Sequence, residues 1–298
     1  MTEFHRELPH AAVWVVNNRS SDRTAQIAAA TLAELGCHGG VINELRPGKG
    51  NAVRRAFLDV DADIYVLSDA DTTYPAAKVH DLIAPIMSGN ADVAVGDRHS
   101  AGHYAAENKR PMHGFGNRLV RDLVNKLFNA DLADIMSGYR VFNRRFVKTY
   151  PIVVEGFEIE TDMTLHALDK RFRIVEIAVE YRDRPAGSMS KLNTVRDGMR
   201  VLRSIGNILR YYKPLLFFGG AATFFALLGL LAGAPVIHEW ITEQYIYHVP
   251  LAILATGLEL VAMMFAAIAL ILDSIAHQDK LAFEREMLAD SYPRSSRG

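Results

Sequence analysis

Two aspartates separated by one residue, Asp69 and Asp71, are the side chains in this sequence best suited to chemistry. They follow residues 63–67, a short apolar run that predicts a buried strand. Open α/β sheets bind ligands at the carboxyl ends of their strands, so we expect both carboxylates in one crevice. Oxygen ligands suit Mg²⁺ or Mn²⁺, and such a cation neutralises charge on a departing diphosphate. The alternative is a solvated turn in which Asp71 or Thr72 caps the next helix.

Strand-like and helix-like segments alternate over residues 11–181, which predicts the α/β layered sheet that must position these carboxylates. The predicted strands lie at residues 12–16, 40–43, 63–67, 91–95, 139–142 and 173–181. The predicted helices include one ending at Gly36 and others at residues 50–58, 76–87, 117–129 and 161–170. Residues 1–10 are polar and show no periodic pattern, so no element is predicted there.

The apolar content is concentrated in the last third of the chain. Residues 214–237 carry no charged side chain, and residues 249–272 carry only Glu259. Each run exceeds the roughly 20 residues that a helix needs to cross a bilayer. The connecting segment 238–248 is aromatic and lacks Lys and Arg, whereas basic residues precede the first run and follow the second. The positive-inside rule therefore predicts a hairpin in the inner membrane with both flanks in the cytoplasm.

These patterns predict four segments. They are a cytoplasmic catalytic domain at residues 1–192, an amphipathic helix at 193–213, a transmembrane hairpin at 214–273 and a cytoplasmic tail at 274–298. The apolar stripe on the Arg-rich segment 193–213 is typical of a helix lying in the membrane interface. A coiled face of a homo-oligomer is the alternative. The formal net charge of −1 over 298 residues disfavours a nucleic-acid partner. The single cysteine, Cys37, excludes an internal disulfide.

Further motifs occur in a fixed order around the two aspartates. They are the polar turn 17–24, a Gly-Lys-Gly segment at 46–52, Gly-Asp-Arg at 96–98, Ser-Gly-Tyr-Arg at 137–140, an acidic helix start at 156–161, and Ser-x-Ser-Lys-Leu at 188–192. Together they resemble the family-2 glycosyltransferases, specifically the dolichyl- and polyprenyl-phosphate sugar synthases of the GT-A fold. The resemblance covers residues 11–213. It implies metal-dependent, inverting transfer of a hexose from a nucleoside-diphosphate sugar to a polyprenyl phosphate.

The resemblance also implies roles for individual residues. Asp69 and Asp71 correspond to the metal-binding pair, and Asp71 is counted among the catalytic residues. The residues expected to bind the nucleotide-sugar donor are Asn17, Asn18, Ser20, Lys49, Gly50, Asp69 and Ala70. Lys49 is expected to reach the diphosphate, with its flanking glycines allowing close backbone approach; a simple turn is the alternative.

The expected acceptor is already a strong nucleophile. A lipid phosphate is largely dianionic at neutral pH, because its second pKa is about 6. The site must therefore mainly position it and neutralise charge. Arg98, Arg110 and Arg140 are the predicted phosphate partners, since a guanidinium can bind phosphate in a bidentate manner. The alternative for these arginines is solvated surface charge.

The sequence departs from the family pattern at two places. Asn17 stands where the family turn usually carries an aspartate. The family's opening strand, which ends in Pro-x-x-Asn-Glu, has no counterpart, so we expect a GT-A sheet without its first strand. These departures leave an alternative function open, namely a catalytically silent, membrane-anchored binding or assembly partner.

Overall fold

The computed structural model describes residues 1–100, 111–156, 158–180 and 194–291. The chain divides into two compact units, Met1–Gly198 and Met199–Gly298. The described part of the first unit is built around six strands and their connecting helices, whereas the second is dominated by two long helices.

The first unit contains the predicted strands and helices in the predicted order, together with two short helices that the sequence did not predict. The strands are β1 (Val13–Asn18), β2 (Gly39–Glu44), β3 (Ile64–Leu67), β4 (Val93–Asp97), β5 (Arg140–Asn143) and β6 (Ile174–Ala178). The helices are α1 (Thr2–Glu7), α2 (Thr24–Leu35), α3 (Lys49–Asp59), α4 (Val79–Met87), α5 (Pro111–Phe128), α6 (Arg144–Thr149) and α7 (Ile159–Asp169). Three further helices follow, α8 (Thr194–Tyr212), α9 (Pro214–Glu243) and α10 (Val249–Ser291).

The strands form two sheets, and the directions of the strands within them bring several loops together. β1 and β2 pair in parallel, with Asn18 opposite Glu44. The second sheet has the order β3-β5-β4-β6, in which β5 is antiparallel to β3 and β4, and β6 is parallel to β4. The carboxyl ends of β3 and β4 therefore share one sheet edge with the amino end of β5. This mixed arrangement with flanking helices confirms the predicted α/β class.

The core explains why these segments fold as they do. β4 is buried along its whole length, which fits the continuous apolar run of a central strand. α4 buries Val79, Leu82 and Ile86, which are spaced to form one helical face. These side chains pack in one cluster with Ala94 of β4 and Val141 of β5. This cluster packs against β4 and β5, next to the strand ends that are followed by Asp69, Asp71 and Arg98.

The amino-terminal residues differ from the patternless segment that the sequence predicts. Thr2–Glu7 forms α1, and Phe4 packs edge-on against Tyr139 with a centroid distance of 5.8 Å and an interplanar angle of 87°. Leu8 also contacts the core cluster. A helix of six residues has little intrinsic stability in water, so this packing is what holds it. A segment of six residues is also too short to show helical periodicity in the sequence.

The two long helices pack against each other through small side chains. Gly229 lies against Glu259, since a Cβ at Gly229 would lie 2.5 Å from the Glu259 Oε1, and Gly233 lies against Ala255. Within the described residues, that Oε1 has no hydrogen-bond partner. Both helices are long and apolar enough to cross a membrane. They contain the two predicted spans, 214–237 and 249–272.

Candidate functional site

The carboxyl end of β1 is tied to the loop that follows β2. Asn17 Nδ2 donates a hydrogen bond to Asn43 Oδ1 at 2.9 Å, and Asn17 Oδ1 accepts one from the backbone N–H of Ser20 at 3.2 Å. Asn18 Oδ1 accepts a hydrogen bond from the backbone N–H of Gly48 at 2.8 Å. The structure therefore gathers the predicted donor residues Asn17, Asn18 and Ser20 beside the Gly-Lys-Gly segment.

The glycines of that segment lie against the backbone of residues 154–155. The Gly50 N–H donates to the Glu155 carbonyl at 2.9 Å. A Cβ at Gly50 would overlap the carbonyl oxygen of Val154, and one at Gly48, where φ is +118°, would overlap that of Glu155. This close approach is made to the protein's own backbone, and an approach of the segment to a diphosphate stays a prediction. It fixes Lys49 at the start of α3.

Lys49 lies between two carboxylates. Its Nζ forms ion pairs with Asp69 Oδ1 and Glu160 Oε1. Burial alone lowers the pKa of the Lys49 ammonium, but the charges of Glu160 and Asp69 outweigh it, and the pKa is raised above its ordinary value. Lys49 is therefore a permanent positive charge at the carboxyl end of β3. The pairing of Glu160 with Lys49 was not predicted, and the acidic start of α7 was the signal available in the sequence.

The two aspartates follow β3 as predicted. Asp69 also packs against Gly138, where a Cβ would lie 2.6 Å from Asp69 Oδ2. Asp71 Oδ1 accepts hydrogen bonds from Thr73 Oγ1 at 2.6 Å and from the Thr73 N–H at 3.3 Å, while Ala70 between the aspartates is exposed. The capping alternative is wrong, because α4 has Lys78 at its N-cap and the preceding 3₁₀ turn has Pro75.

Tyr74 joins this turn to the loop before β5. Its hydroxyl oxygen accepts a hydrogen bond from the Gly138 N–H at 3.0 Å. Its ring lies 5.2 Å from that of Tyr139. Burial raises the pKa of Tyr74, so the hydroxyl stays neutral. This contact of Tyr74 was not predicted from the sequence. Its place directly after the Asp-x-Asp turn was the only available signal.

Arg98 is held by a buried carboxylate. Its Nε and one terminal nitrogen donate to Asp134 Oδ2 at 2.7 Å and Oδ1 at 2.9 Å, a bidentate geometry. The Arg98 side chain is only 13% exposed. Asp97 accepts backbone hydrogen bonds from His99 at 2.8 Å and Ser100 at 3.2 Å, and so fixes the turn. Arg98 thus directly follows the carboxyl end of β4. Its role in binding phosphate stays a prediction.

The Arg98–Asp134 pair predicts how stability depends on pH. Burial raises the pKa of Asp134, but hydrogen bonds and charge from Arg98 outweigh it, so the pKa lies below its ordinary value. The stabilisation is fully present above the unfolded pKa of about 3.9 and is lost as the pH falls through the lower folded pKa. Below about pH 4, the free energy of unfolding of Asp134→Asn, measured by urea titration, should fall less steeply with decreasing pH than that of the wild type. The exposed control Asp122→Asn should keep the wild-type slope, and parallel curves for wild type and Asp134→Asn would contradict the assignment.

Arg140 contradicts its predicted role as a phosphate partner. It is completely buried, and it donates to the carbonyl oxygens of Ser137 at 2.8 Å and Ile135 at 2.8 Å and to Thr164 Oγ1 at 3.0 Å. These bonds direct the guanidinium into the domain interior. The remaining candidate, Arg110, lies outside the described residues.

The carboxylate oxygens that follow β3 suit a hard divalent cation. Asp69 and Asp71 offer oxygen ligands only, and Mg²⁺ is commonly bound by one or two carboxylates together with substrate phosphates. Across the described ranges, no group of three or more His, Cys, Asp or Glu side chains is arranged to hold a metal. Asp69 and Asp71 are the residues that would hold such a cation, and their metal role stays a prediction.

Residues 4–150 match the family described as glycosyl transferase family 2. This stretch of the chain is a glycosyl transferase family 2 domain. The matched range runs from α1 to α6 and includes Lys49, Asp69, Asp71 and Arg98, while Glu160 lies beyond it. Together with the mixed sheet, the family-2 match confirms the predicted GT-A fold class.

Several known proteins are similar to this family-2 chain. Glycosyltransferase AglJ of Haloferax volcanii is 28% identical over 255 residues, 85% of this chain and 81% of AglJ. Dolichol-phosphate mannosyltransferase of Pyrococcus furiosus is 28% identical over 204 residues, 67% of this chain and 54% of the relative. The crystal structure of Mycobacterium tuberculosis glucosyl-3-phosphoglycerate synthase with Mn²⁺, UDP and glucosyl-3-phosphoglycerate covers 67% of this chain and 68% of its own, with a TM-score of 0.48 and 19% identity.

Proposed function

We propose that this chain transfers a hexose from a nucleoside-diphosphate sugar to a polyprenyl phosphate at the cytoplasmic face of the inner membrane. The observation that carries the proposal is the Lys49–Asp69 cluster at the strand ends of a family-2 domain that continues into two apolar helices. A relative in Pyrococcus furiosus is named a dolichol-phosphate mannosyltransferase, which supports a lipid phosphate as acceptor.

The proposed donor subsite lies at the loops after β1, β2 and β3. Asn17, Asn18 and Ser20 lie on one side of it. Gly50 follows Lys49 in the first turn of α3, and Ala70 lies between Asp69 and Asp71 after β3. Mg²⁺ or Mn²⁺, held by Asp69 and Asp71, supplies neutralising charge for the departing diphosphate when bound. Lys49 adds a second positive charge at the same strand end, because its ammonium stays protonated.

The proposed acceptor subsite uses arginine rather than a general base. Arg98, oriented by Asp134, and Arg110 on the following segment hold the lipid phosphate. An acceptor that is already anionic needs positioning and charge neutralisation more than proton removal. In-line attack of the phosphate oxygen on the anomeric carbon, opposite the leaving diphosphate, inverts the configuration there.

The proposed topology places the acceptor next to the site. α9 and α10 span the bilayer as a hairpin, α8 lies in the interface, and residues 1–192 and 274–298 face the cytoplasm. A polyprenyl phosphate has its phosphate at the membrane surface, so a tethered catalytic domain meets it at high effective concentration.

The test is transfer by the full chain in lipid nanodiscs. Radiolabelled UDP- and GDP-hexoses are offered with undecaprenyl or dolichyl phosphate, and organic-phase radioactivity is counted. We expect label in the lipid phase for at least one donor, dependent on added lipid phosphate and abolished by chelator. Donor binding without lipid-linked product, across the whole panel, would instead favour the silent binding or assembly partner.

A further inference from the structure

Lys49 occupies one carboxylate oxygen of Asp69, a residue proposed to hold the cation. Its Nζ contacts Oδ1 of Asp69 and, on its other side, Oε1 of Glu160. The side chains of Lys49 and Glu160 are only 16% and 8% exposed, whereas that of Asp69 is 31% exposed. The ammonium is thus enclosed at the inner side of the site, and Asp69 faces the outside.

The second oxygen of Asp69 is confined as well. It lies against the backbone of Gly138, where an added Cβ would be 2.6 Å from Oδ2 and 3.1 Å from Lys49 Nζ. The Gly138 N–H is engaged by the hydroxyl of Tyr74. A cation that is to bind Oδ1 must therefore displace the ammonium, because Lys49 Nζ already contacts that oxygen and Oδ2 lies against Gly138.

The side chain of Lys49 can give way while its backbone stays in place. Its backbone is held by the hydrogen bond from Gly50 to Glu155 and by the hydrogen bond from Gly48 to Asn18. The flexible four-carbon stem of lysine can swing without moving that backbone. Glu160, which is more deeply buried than Asp69, offers the ammonium a partner after it leaves Asp69.

We propose that Lys49 excludes the divalent cation from Asp69 until a diphosphate is present, so that cation and donor enter together. This proposal rests on the proposed function, because it assumes the cation site at Asp69 and Asp71. An ammonium and a divalent cation repel strongly at contact distance in a partly buried site. The anionic diphosphate removes this conflict, because it offers both cations oxygen ligands.

The experiment measures binding of Mn²⁺ alone to the full chain in nanodiscs, by the electron paramagnetic resonance signal of free Mn²⁺. Lys49→Met removes the charge and nearly keeps the length of the side chain. If the methionine variant folds poorly, Lys49→Gln removes the charge with a polar side chain. Lys49→Arg is the control that keeps the charge. We expect the neutral variants to bind Mn²⁺ at least roughly 10-fold more tightly than wild type, and the arginine variant to resemble wild type.

A double variant locates the effect. Adding Asp69→Asn to the neutral Lys49 variant should remove the gain, because the uncovered ligand is then lost. Equal Mn²⁺ affinity in wild type and both neutral variants, or a gain that survives Asp69→Asn, would overturn the proposal. Wild-type transfer in the donor panel is scored separately. Transfer without a gain in the variants would reject the Lys49 mechanism alone, and absent transfer would reject the proposed function.

Discussion

Asp71→Ala is expected to lower hexose transfer by roughly 10²–10³-fold, the range typical of losing one electrostatic contact to a developing charge. Asp71 follows β3 at the sheet edge that also carries Lys49 and Arg98. Without its carboxylate the proposed cation loses one of two protein ligands, and the leaving diphosphate loses counter-charge. The measurement is initial rate per mole of folded protein with saturating donor and lipid phosphate.

Folding must be checked in the same variant, because Asp71 also accepts two hydrogen bonds from Thr73. Losing these local bonds costs about 0.5–1.5 kcal/mol each, which is tolerable for a domain of ordinary stability. The matched control is Asp81→Ala, an exposed carboxylate on α4 paired only with Lys78 among the described residues. It should keep full activity. Undiminished turnover in Asp71→Ala, or full wild-type activity in excess chelator, would contradict the assignment.

Local patterns were sufficient to predict most of the fold. The run before Asp69 predicted β3, and the periodic apolar residues of residues 76–87 predicted α4, because burial on one face leaves its period in the sequence. Gly36, with φ +63°, ends α2 as expected of a left-handed C-terminal residue. The two long apolar runs, of which the second carries only Glu259, predicted α9 and α10. Each of these signals lies within one element.

The parts that sequence did not predict depend on distant partners. Glu160 follows Lys49 by 111 positions, so no spacing indicates that they form an ion pair. The glycines of the Gly-Lys-Gly segment gave a correct sign of close approach, but the partner is the backbone at 154–155. α1 and α6 are six residues long, which is too short for periodicity. Arg140 was misassigned because its partners are mainly backbone carbonyls, which no residue type identifies.

Arg140→Met is expected to lower the free energy of unfolding of the catalytic domain by about 3–5 kcal/mol, because several buried hydrogen-bond acceptors lose their donor at once. Two carbonyl oxygens and the hydroxyl of Thr164 lose donors where Arg140 has zero exposure. Each buried group left unsatisfied costs about 1–3 kcal/mol. Such a loss is a large part of a typical stability of about 5–15 kcal/mol.

The chain provides a selective probe for this measurement. Its two tryptophans are Trp14 on β1 and Trp240 in α9, so Trp240→Phe leaves fluorescence that reports only on the first unit. Urea unfolding of the full chain in that background should show the loss for Arg140→Met. The control Arg121→Met removes a surface pair with Asp122 and should change stability by less than about 1 kcal/mol. Arg140→Met could instead keep the wild-type urea midpoint and lose hexose transfer. That result would contradict the stabilising role and favour the phosphate contact that the sequence predicted.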